Sequence, residues 1–273
     1  MPKKGCQEDS RSEVCFKVFY LGKELMLKKF LRKSWIYKAV VKYRARKVRT
    51  ALKLINIYPS EIDQIIDDYQ YSISVDYRTV MQVINLESCI KHVKATGVKG
   101  AFVETGTWTG GASAFALLSM MRNDVTLEYW GFDSFEGMPP PTKDDDEKSH
   151  TWAGDDPGGV NNASYDECLK YLRDTGYESE KLNLVKGWFD ETLHVHKETI
   201  GPIAILRLDG DFYESTKTPL VELYDQVVVG GVVIVDDYGT FAGCKKAVDE
   251  LVKGQDIHYV ENGIRYFIKR DVN

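Results

Sequence analysis

No run of about 18 consecutive apolar residues occurs in this 273-residue chain, so no transmembrane helix is expected. The first ten residues are polar, and no apolar stretch with a small-residue cleavage site follows them, so no secretory leader is expected either. Cysteine is scarce. The five thiols (Cys6, Cys15, Cys89, Cys168, Cys244) are scattered and form no CxxC pair. That pattern excludes a disulfide framework and the usual zinc spacings, and it reads as reduced thiols in a cytoplasmic protein. Histidine is equally sparse, with five residues, which leaves few side chains able to titrate near neutral pH.

The net charge of -5 conceals an asymmetry. Residues 1–56 carry 16 Lys/Arg against four acids, about +12, which leaves about -17 on the remainder. An acidic body suits a protein that binds a metal or a cationic ligand. The basic arm offers a surface for lipid headgroups or for the acidic body of a second subunit, or is simply a solvated extension. It carries no nucleic-acid recognition motif, so no nucleic-acid partner is expected.

Residues 1–13 read as disordered, and residues 14–55 as amphipathic helix among lysines and arginines. Tyr58-Pro59-Ser60 breaks the pattern, and Ser60 stands three residues before Asp63 as an N-cap. The expected division is a basic helical extension over 1–70 and one domain over 71–273. A helix is expected over 80–96, ended by Gly97. An α/β rhythm follows, with strands at 100–104, 129–133, 182–186, 203–209 and 232–236. The intervening helices are expected at 110–121, 164–175, 215–225 and 243–253. Two short strands around Asn262-Gly263 close the sheet as an antiparallel hairpin. This alternation predicts an α/β fold with a doubly wound, Rossmann-like, mostly parallel sheet. Residues 134–161 read as one long loop, a lid or binding loop holding Pro139-Pro140-Pro141, Asp144-Asp145-Asp146, His150 and Trp152.

Three of the predicted strands stop at acids: Phe102-Val103-Glu104, Leu206-Arg207-Leu208-Asp209 and Ile234-Val235-Asp236-Asp237. In open α/β sheets ligands bind beyond the carboxyl ends of the strands, so these acids converge on one crevice. Glu104-x-Gly106-x-Trp108-x-Gly110 is not a dinucleotide fingerprint, because Trp108 stands where a glycine is needed for close approach of a pyrophosphate. The acid before the first glycine instead resembles the first motif of S-adenosylmethionine (SAM) methyltransferases. Asp133, ending the second strand, either accepts two ribose hydroxyls or caps the loop through Ser134. Trp188 and Phe189, after the 182–186 strand, either stack on a purine or belong to the core. Asp209, Asp236 and Asp237 are hard oxygen ligands suited to Mg²⁺. Their alternative partners are Arg207, Lys245 and Lys246. Asp211, Tyr213, Glu214 and Ser215 line the same crevice or cap the next helix. His194 and His196 are read as flanking a helix start, and His150 in the lid is the general-base candidate.

These segments together resemble the macrocin O-methyltransferase family. The resemblance rests on Glu104-Thr105-Gly106-Thr107-Trp108-Thr109-Gly110-Gly111, Asp133-Ser134-Phe135-Glu136-Gly137, Gly187-Trp188-Phe189, Arg207-Leu208-Asp209-Gly210-Asp211-Phe212-Tyr213-Glu214-Ser215-Thr216 and Val235-Asp236-Asp237-Tyr238-Gly239, in that order, within roughly residues 71–268. It implies a class I methyltransferase fold, SAM and Mg²⁺ as cofactors, and a sugar hydroxyl as acceptor. The implied metal ligands are Asp209, Asp236 and Asp237. The cofactor set is Glu104, Thr105, Gly106, Trp108, Gly110, Asp133, Ser134, Trp188 and Phe189. The catalytic pair is His150, which aligns with a family histidine, and Asp209. The metal layout is also similar to catechol O-methyltransferase, but Phe212 stands where that enzyme has a lysine, so a lysine base is excluded there. A homodimer is expected from the family. The basic arm departs from the antibiotic-pathway enzymes, which widens the acceptor to a glycan or glycolipid and leaves membrane-surface contact open. The rival readings are a nicotinamide-dependent oxidoreductase and a non-catalytic glycan-binding relative.

Overall fold

The computed structural model describes residues 77–153, 160–260 and 263–272. The expected extension over 1–70, with its Ser60 cap, lies outside the described residues, as does the Asn262 tip of the hairpin. The elements run α1 (Tyr77–Thr96), β1 (Ala101–Thr105), α2 (Gly111–Arg122), β2 (Tyr129–Asp133), α3 (Glu147–Ala153), α4 (Tyr165–Asp174), β3 (Leu182–Lys186), α5 (Phe189–Ile200), β4 (Ile203–Leu208), α6 (Tyr213–Leu223), β5 (Val227–Val235), α7 (Ala242–Leu251), β6 (His258–Tyr259) and β7 (Arg265–Ile268).

The seven strands lie in the order β3-β2-β1-β4-β5-β7-β6. The first five are parallel, while β7 runs antiparallel to both β5 and β6. The expected doubly wound sheet and closing hairpin are therefore present. Strand order reverses between β1 and β4, which puts the ligand crevice at their carboxyl ends.

Both faces of the sheet are covered, and side chains alternate between them with period two. On one face Phe102, Ile205, Val232 and Ile234 meet Leu86, Ile90 and Val93 of α1 and Leu117 and Met120 of α2. On the other, Val103, Leu206, Leu208, Val233 and Val235 meet Leu193 of α5, Leu220 of α6 and Val248 of α7. The same alternation carries past the apolar residues. Glu104, Arg207 and Asp236 continue the Phe102, Ile205 and Ile234 rows, and so point toward α1 and α2.

Two sequence expectations need correction. Residues 134–161 are not one loop, because α3 forms within them. The segment from 147 opens with Glu147 in its first turn and Ser149 bonding back to Asp146, a local start signal hidden by the acidic run before it. His194 and His196 do not flank a helix start. They sit inside α5, which begins at Phe189, and His196 packs its ring against Trp130 and Phe132.

A polar clip joins α1 to α2. Glu87, nearly fully buried, accepts from Ser119 Oγ, Arg122 and Asn123 of α2, and pairs with Lys91 one turn on. Burial pushes the Glu87 carboxyl up, but these donors together outweigh it and hold it below the ordinary glutamate value of 4.5. A depressed folded pKa adds stability above the unfolded value, and that stability is lost as pH falls through the folded one. Glu87→Gln is therefore expected to lower unfolding free energy by about 2 kcal/mol at pH 7, the usual cost of weakening a buried charge-assisted network. Urea titrations across pH should show the gap between variant and wild type narrowing below about pH 4.5. A gap independent of pH would mean that Glu87 acts through shape alone.

Candidate active site

The glycine turn after β1 is held from three directions. Gly106 N–H donates to Phe132 O at 2.9 Å, and Asp209 N–H donates to Thr105 O at 2.9 Å. Gly106 has φ +95°, and a Cβ there would stand 1.9 Å from the Asp209 carbonyl oxygen. Only glycine fits, and the turn after β1 therefore rests directly on the backbone that carries Asp209. Trp108 adopts a left-handed backbone, and its N–H donates to Asp133 Oδ2 at 2.7 Å. Asp133 Oδ1 accepts from Phe135 N–H at 2.8 Å. Burial raises the Asp133 pKa, against the pull of these backbone donors. Asp133 thus ties the turn after β1 to the turn after β2, with Thr107 of the first turn also donating to it through its backbone, and acceptor capacity remains for a ligand hydroxyl. Ser134 Oγ is engaged within its own turn, donating to Gly137 O and accepting from Glu136 N–H. Gly110 opens α2 from a left-handed conformation. Trp188 sits at the start of α5 beside this rim, while Phe189 packs against the core of the second face.

Glu104 is not turned outward. It is buried, and its carboxylate accepts from Ser113 Oγ, Tyr129 Oη and Arg207 Nη1, the last at 2.6 Å. Arg207 is the largest fully buried side chain among the described residues. Its Nη2 lies 2.7 Å from Asp209 Oδ2 and 3.1 Å from Asp236 Oδ1. Burial disfavours the guanidinium charge, and the attraction of Asp209, Asp236 and Glu104 more than offsets it, raising the pKa above the ordinary arginine range. Gln82 of α1 donates from Nε2 to Asp236 Oδ2 at 2.7 Å. Of the alternative cation partners, Arg207 does pair with the acids, whereas Lys245 pairs with Asp249 and Lys246 with Asp144.

Asp209, Asp236 and Asp237 each bring a carboxylate oxygen within 4.8 Å of the others. Asp236 and Asp237 are buried and Asp209 is half-buried, so the group has one accessible side. Arg207 contacts two of these three carboxylates, Asp209 and Asp236, and is shared with Glu104, so negative charge is in excess here, an arrangement that fits a hard divalent cation bound through oxygens. Asp211, two residues past Asp209, holds a left-handed backbone with φ 60°.

The lid segment is fastened over the same loops by its acidic run. Asp145 Oδ1 accepts from the N–H of Tyr213, the first residue of α6, at 2.7 Å. Asp146 accepts from Ala242 N–H, the first of α7, as well as from Ser149. Asp144 pairs with Lys246 at 2.7 Å. Two acids thus cap, from a distant segment, the two helices that follow the Asp209 and Asp236/Asp237 loops. Gly243 admits this contact, since a Cβ there would lie 2.0 Å from Asp145 Oδ1. Trp152 of α3 lays its half-exposed ring on Phe212 and Phe241, 6.2 and 5.7 Å between centroids. His150, on the same helix, is exposed, with Nε2 3.1 Å from Thr142 O. The structure therefore gathers the three metal-ligand candidates and the turn after β1, and leaves His150 on the lid surface.

Comparisons with known proteins identify the family. Residues 64–265 match the family described as Macrocin-O-methyltransferase (TylF). The chain belongs to that family. It is a SAM-dependent O-methyltransferase. The chain is 37% identical over 179 residues to the demethyldecarbamoylnovobiocin O-methyltransferase of Streptomyces niveus, covering 65% of this chain and 68% of that one. It is 31% identical over 207 residues to the mycinamicin III 3''-O-methyltransferase of Micromonospora griseorubida, covering 69% and 76%. Among solved structures, the O-methyltransferase NovP aligns with a TM-score of 0.63 at 32% identity, over 70% of this chain and 81% of that one.

Gly106→Ala is expected to disrupt the site. The added methyl would have to displace the Asp209 backbone and also occupy a positive φ, each costing about 1–3 kcal/mol. Thermal denaturation should show a fall of several degrees for a domain of this size. Calorimetry should show loss of S-adenosylhomocysteine binding. Normal binding of that ligand by the variant would remove the turn from the cofactor site.

Proposed function

We propose that this enzyme methylates a hydroxyl of a sugar carried on a glycoside, glycan or glycosylated natural product, with a divalent cation, Mg²⁺, held by Asp209, Asp236 and Asp237. The observation that carries the metal assignment is the convergence of these three carboxylates, two of them buried, at the ends of β4 and β5. Like charges so placed repel and are costly to bury unless a cation or hydrogen bonds answer them. The sugar acceptor rests on the family and on relatives whose names specify a sugar position, such as the 3''-hydroxyl of mycinamicin III.

When bound, the cation would lower the pKa of a coordinated hydroxyl, and SAM would supply the methyl group. The protein's part is placement. Gly106 and Trp108 shape the turn that would hold the methionine end of the cofactor, Asp133 would offer acceptors for its ribose, and Trp188 would stack on its base. Glu104 supports the turn from below through Ser113, Tyr129 and Arg207 rather than by facing the crevice. Holding donor and acceptor in line accounts for much of the rate in such transfers, with effective molarities of about 10⁵ M or more in favourable cases. His150 serves as general base once it exchanges Thr142 O for the acceptor. Its helix already touches Phe212, three residues past Asp209, through Trp152. The basic arm is the segment proposed to mediate dimer or membrane-surface contact, and the organisation into extension and catalytic domain is part of the same proposal.

The first experiment is calorimetric titration of S-adenosylhomocysteine, with and without Mg²⁺, followed by labelled SAM against sugar acceptors. Micromolar binding, about -8 kcal/mol, is expected. No binding in either condition would favour the reading of a non-catalytic glycan-binding relative within the family. Asp237→Ala should abolish turnover and Mn²⁺ binding, while S-adenosylhomocysteine binds as it does to wild type without metal. Unchanged turnover in that variant would sink the metal assignment. His150→Ala should lower kcat by about 10²–10⁴. An unaltered kcat would transfer the base role to Asp209.

A further inference from the structure

We propose that Arg207 is a positioning residue that couples the metal and cofactor sites, so that each ligand tightens binding of the other. This rests on the metal and cofactor assignments above. Glu104 and Arg207 are register partners on the adjacent strands β1 and β4, and they share the face that also carries Asp236. The guanidinium divides between two directions. Nη1 holds Glu104, at the start of the turn after β1, at 2.6 Å, while Nη2 holds Asp209 and Asp236 at 2.7 and 3.1 Å. Its planar fork spans both, which a single ammonium cannot.

A cation entering among Asp209, Asp236 and Asp237 competes with Nη2 for the oxygens of two of its three ligands. The guanidinium charge then falls more fully on Glu104, which steadies Glu104 against Ser113 and Tyr129 and with it the turn that follows. Binding of the cofactor in that turn has the mirror effect, drawing Arg207 toward Glu104 and releasing the two aspartates. Linkage requires the two effects to be equal. A second connection exists through the backbone, where Gly106 rests on the Asp209 carbonyl. The test must separate the two routes.

The full chain is titrated with S-adenosylhomocysteine at zero and saturating Mn²⁺, and with Mn²⁺, followed by its paramagnetic resonance, with and without S-adenosylhomocysteine. Wild type is expected to show the same enhancement in both directions, at least about fivefold, the lower end of usual coupling. Arg207→Lys keeps a charge but not the fork, and should bring both enhancements to about one, while each ligand alone still binds. Should Arg207→Lys fail to fold, Glu104→Gln removes the other end of the bridge with little change of shape, and the same loss is expected. Coupling that persists at the wild-type value in the folded variant would assign it to the Gly106–Asp209 backbone contact and overturn the proposal. Independent binding in wild type would overturn it too. If wild type binds neither ligand, the metal and cofactor assignments themselves fail, a result distinct from both.

Discussion

A single buried guanidinium sets the terms for the rest of this site. An arginine in a central parallel strand has no water to answer it, and because a guanidinium keeps its proton, burying it without partners would be very costly. Arg207 is answered by Glu104, Asp209 and Asp236, from three neighbouring strands. The dependence runs both ways, because those carboxylates would repel one another without it. Breaking such a buried group by removing one member costs about 3–5 kcal/mol, whereas the intact group adds little net stability over an apolar core. The network is thus better understood as fixing geometry than as stabilising the fold. It locks the ends of β1, β4 and β5 in register with one another at the point where chemistry is placed.

The lid applies the same logic at lower burial. The run Asp144-Asp145-Asp146 would be a solvated acidic patch if it were free. Instead each acid has a separate positive counterpart: an ammonium, the N-terminus of α6, and the N-terminus of α7. These helix starts follow the loops bearing Asp209 and Asp236/Asp237. This segment therefore holds the loops bearing Asp209 and Asp236/Asp237 from outside while Arg207 holds them from beneath. Trp152 completes the closure with an aromatic contact to Phe212 and Phe241. Hydrogen bonds and ring contacts near the surface, such as these, cost less to break than the buried network, as the proposed role of a lid over the acceptor requires.

What was legible in the sequence follows from what burial enforces. Strands covered on both faces must be near-continuous apolar runs, so the sequence locates β1, β2 and β4 to within a residue, the half-buried edge strand β3 is legible from its alternation, and the acids ending β1, β4 and β5 mark the crevice. The start of β5 was missed because Gly230 and Gly231 interrupt its first half, where the pairing with β4 slips register. Helix α3 escapes because it is short and follows an acidic run, and the start of α5 is expected too late, near His194 and His196, because Trp188 and Phe189 at its true start read as a stacking or core pair. The role of Glu104 was only half legible. Its place before the glycine turn was plain, but its orientation depends on a partner about a hundred residues away. The signal was present in Ile205-Leu206-Arg207-Leu208: an arginine inside a buried run requires carboxylates on adjacent strands.

The two ends of the crevice are built by different means, and this bears on what the enzyme must do. On the proposed reading the cofactor side is made mainly of backbone: turns at Gly106 and Trp108, joined through Asp133. The acceptor side is made of side chains on the lid and on the loops after β4 and β5. A fixed donor site facing an adjustable acceptor site permits one methyl-transfer geometry to serve sugars on different scaffolds, provided that a pair of oxygens reaches the Asp209 group. On the same proposal, acceptor identity would reside in the lid and whatever adjoins it. Substitutions at Trp152 or along the Asp144–Asp146 run should change which sugar is accepted, whereas substitutions beneath, at Glu104 or Arg207, should affect every acceptor alike.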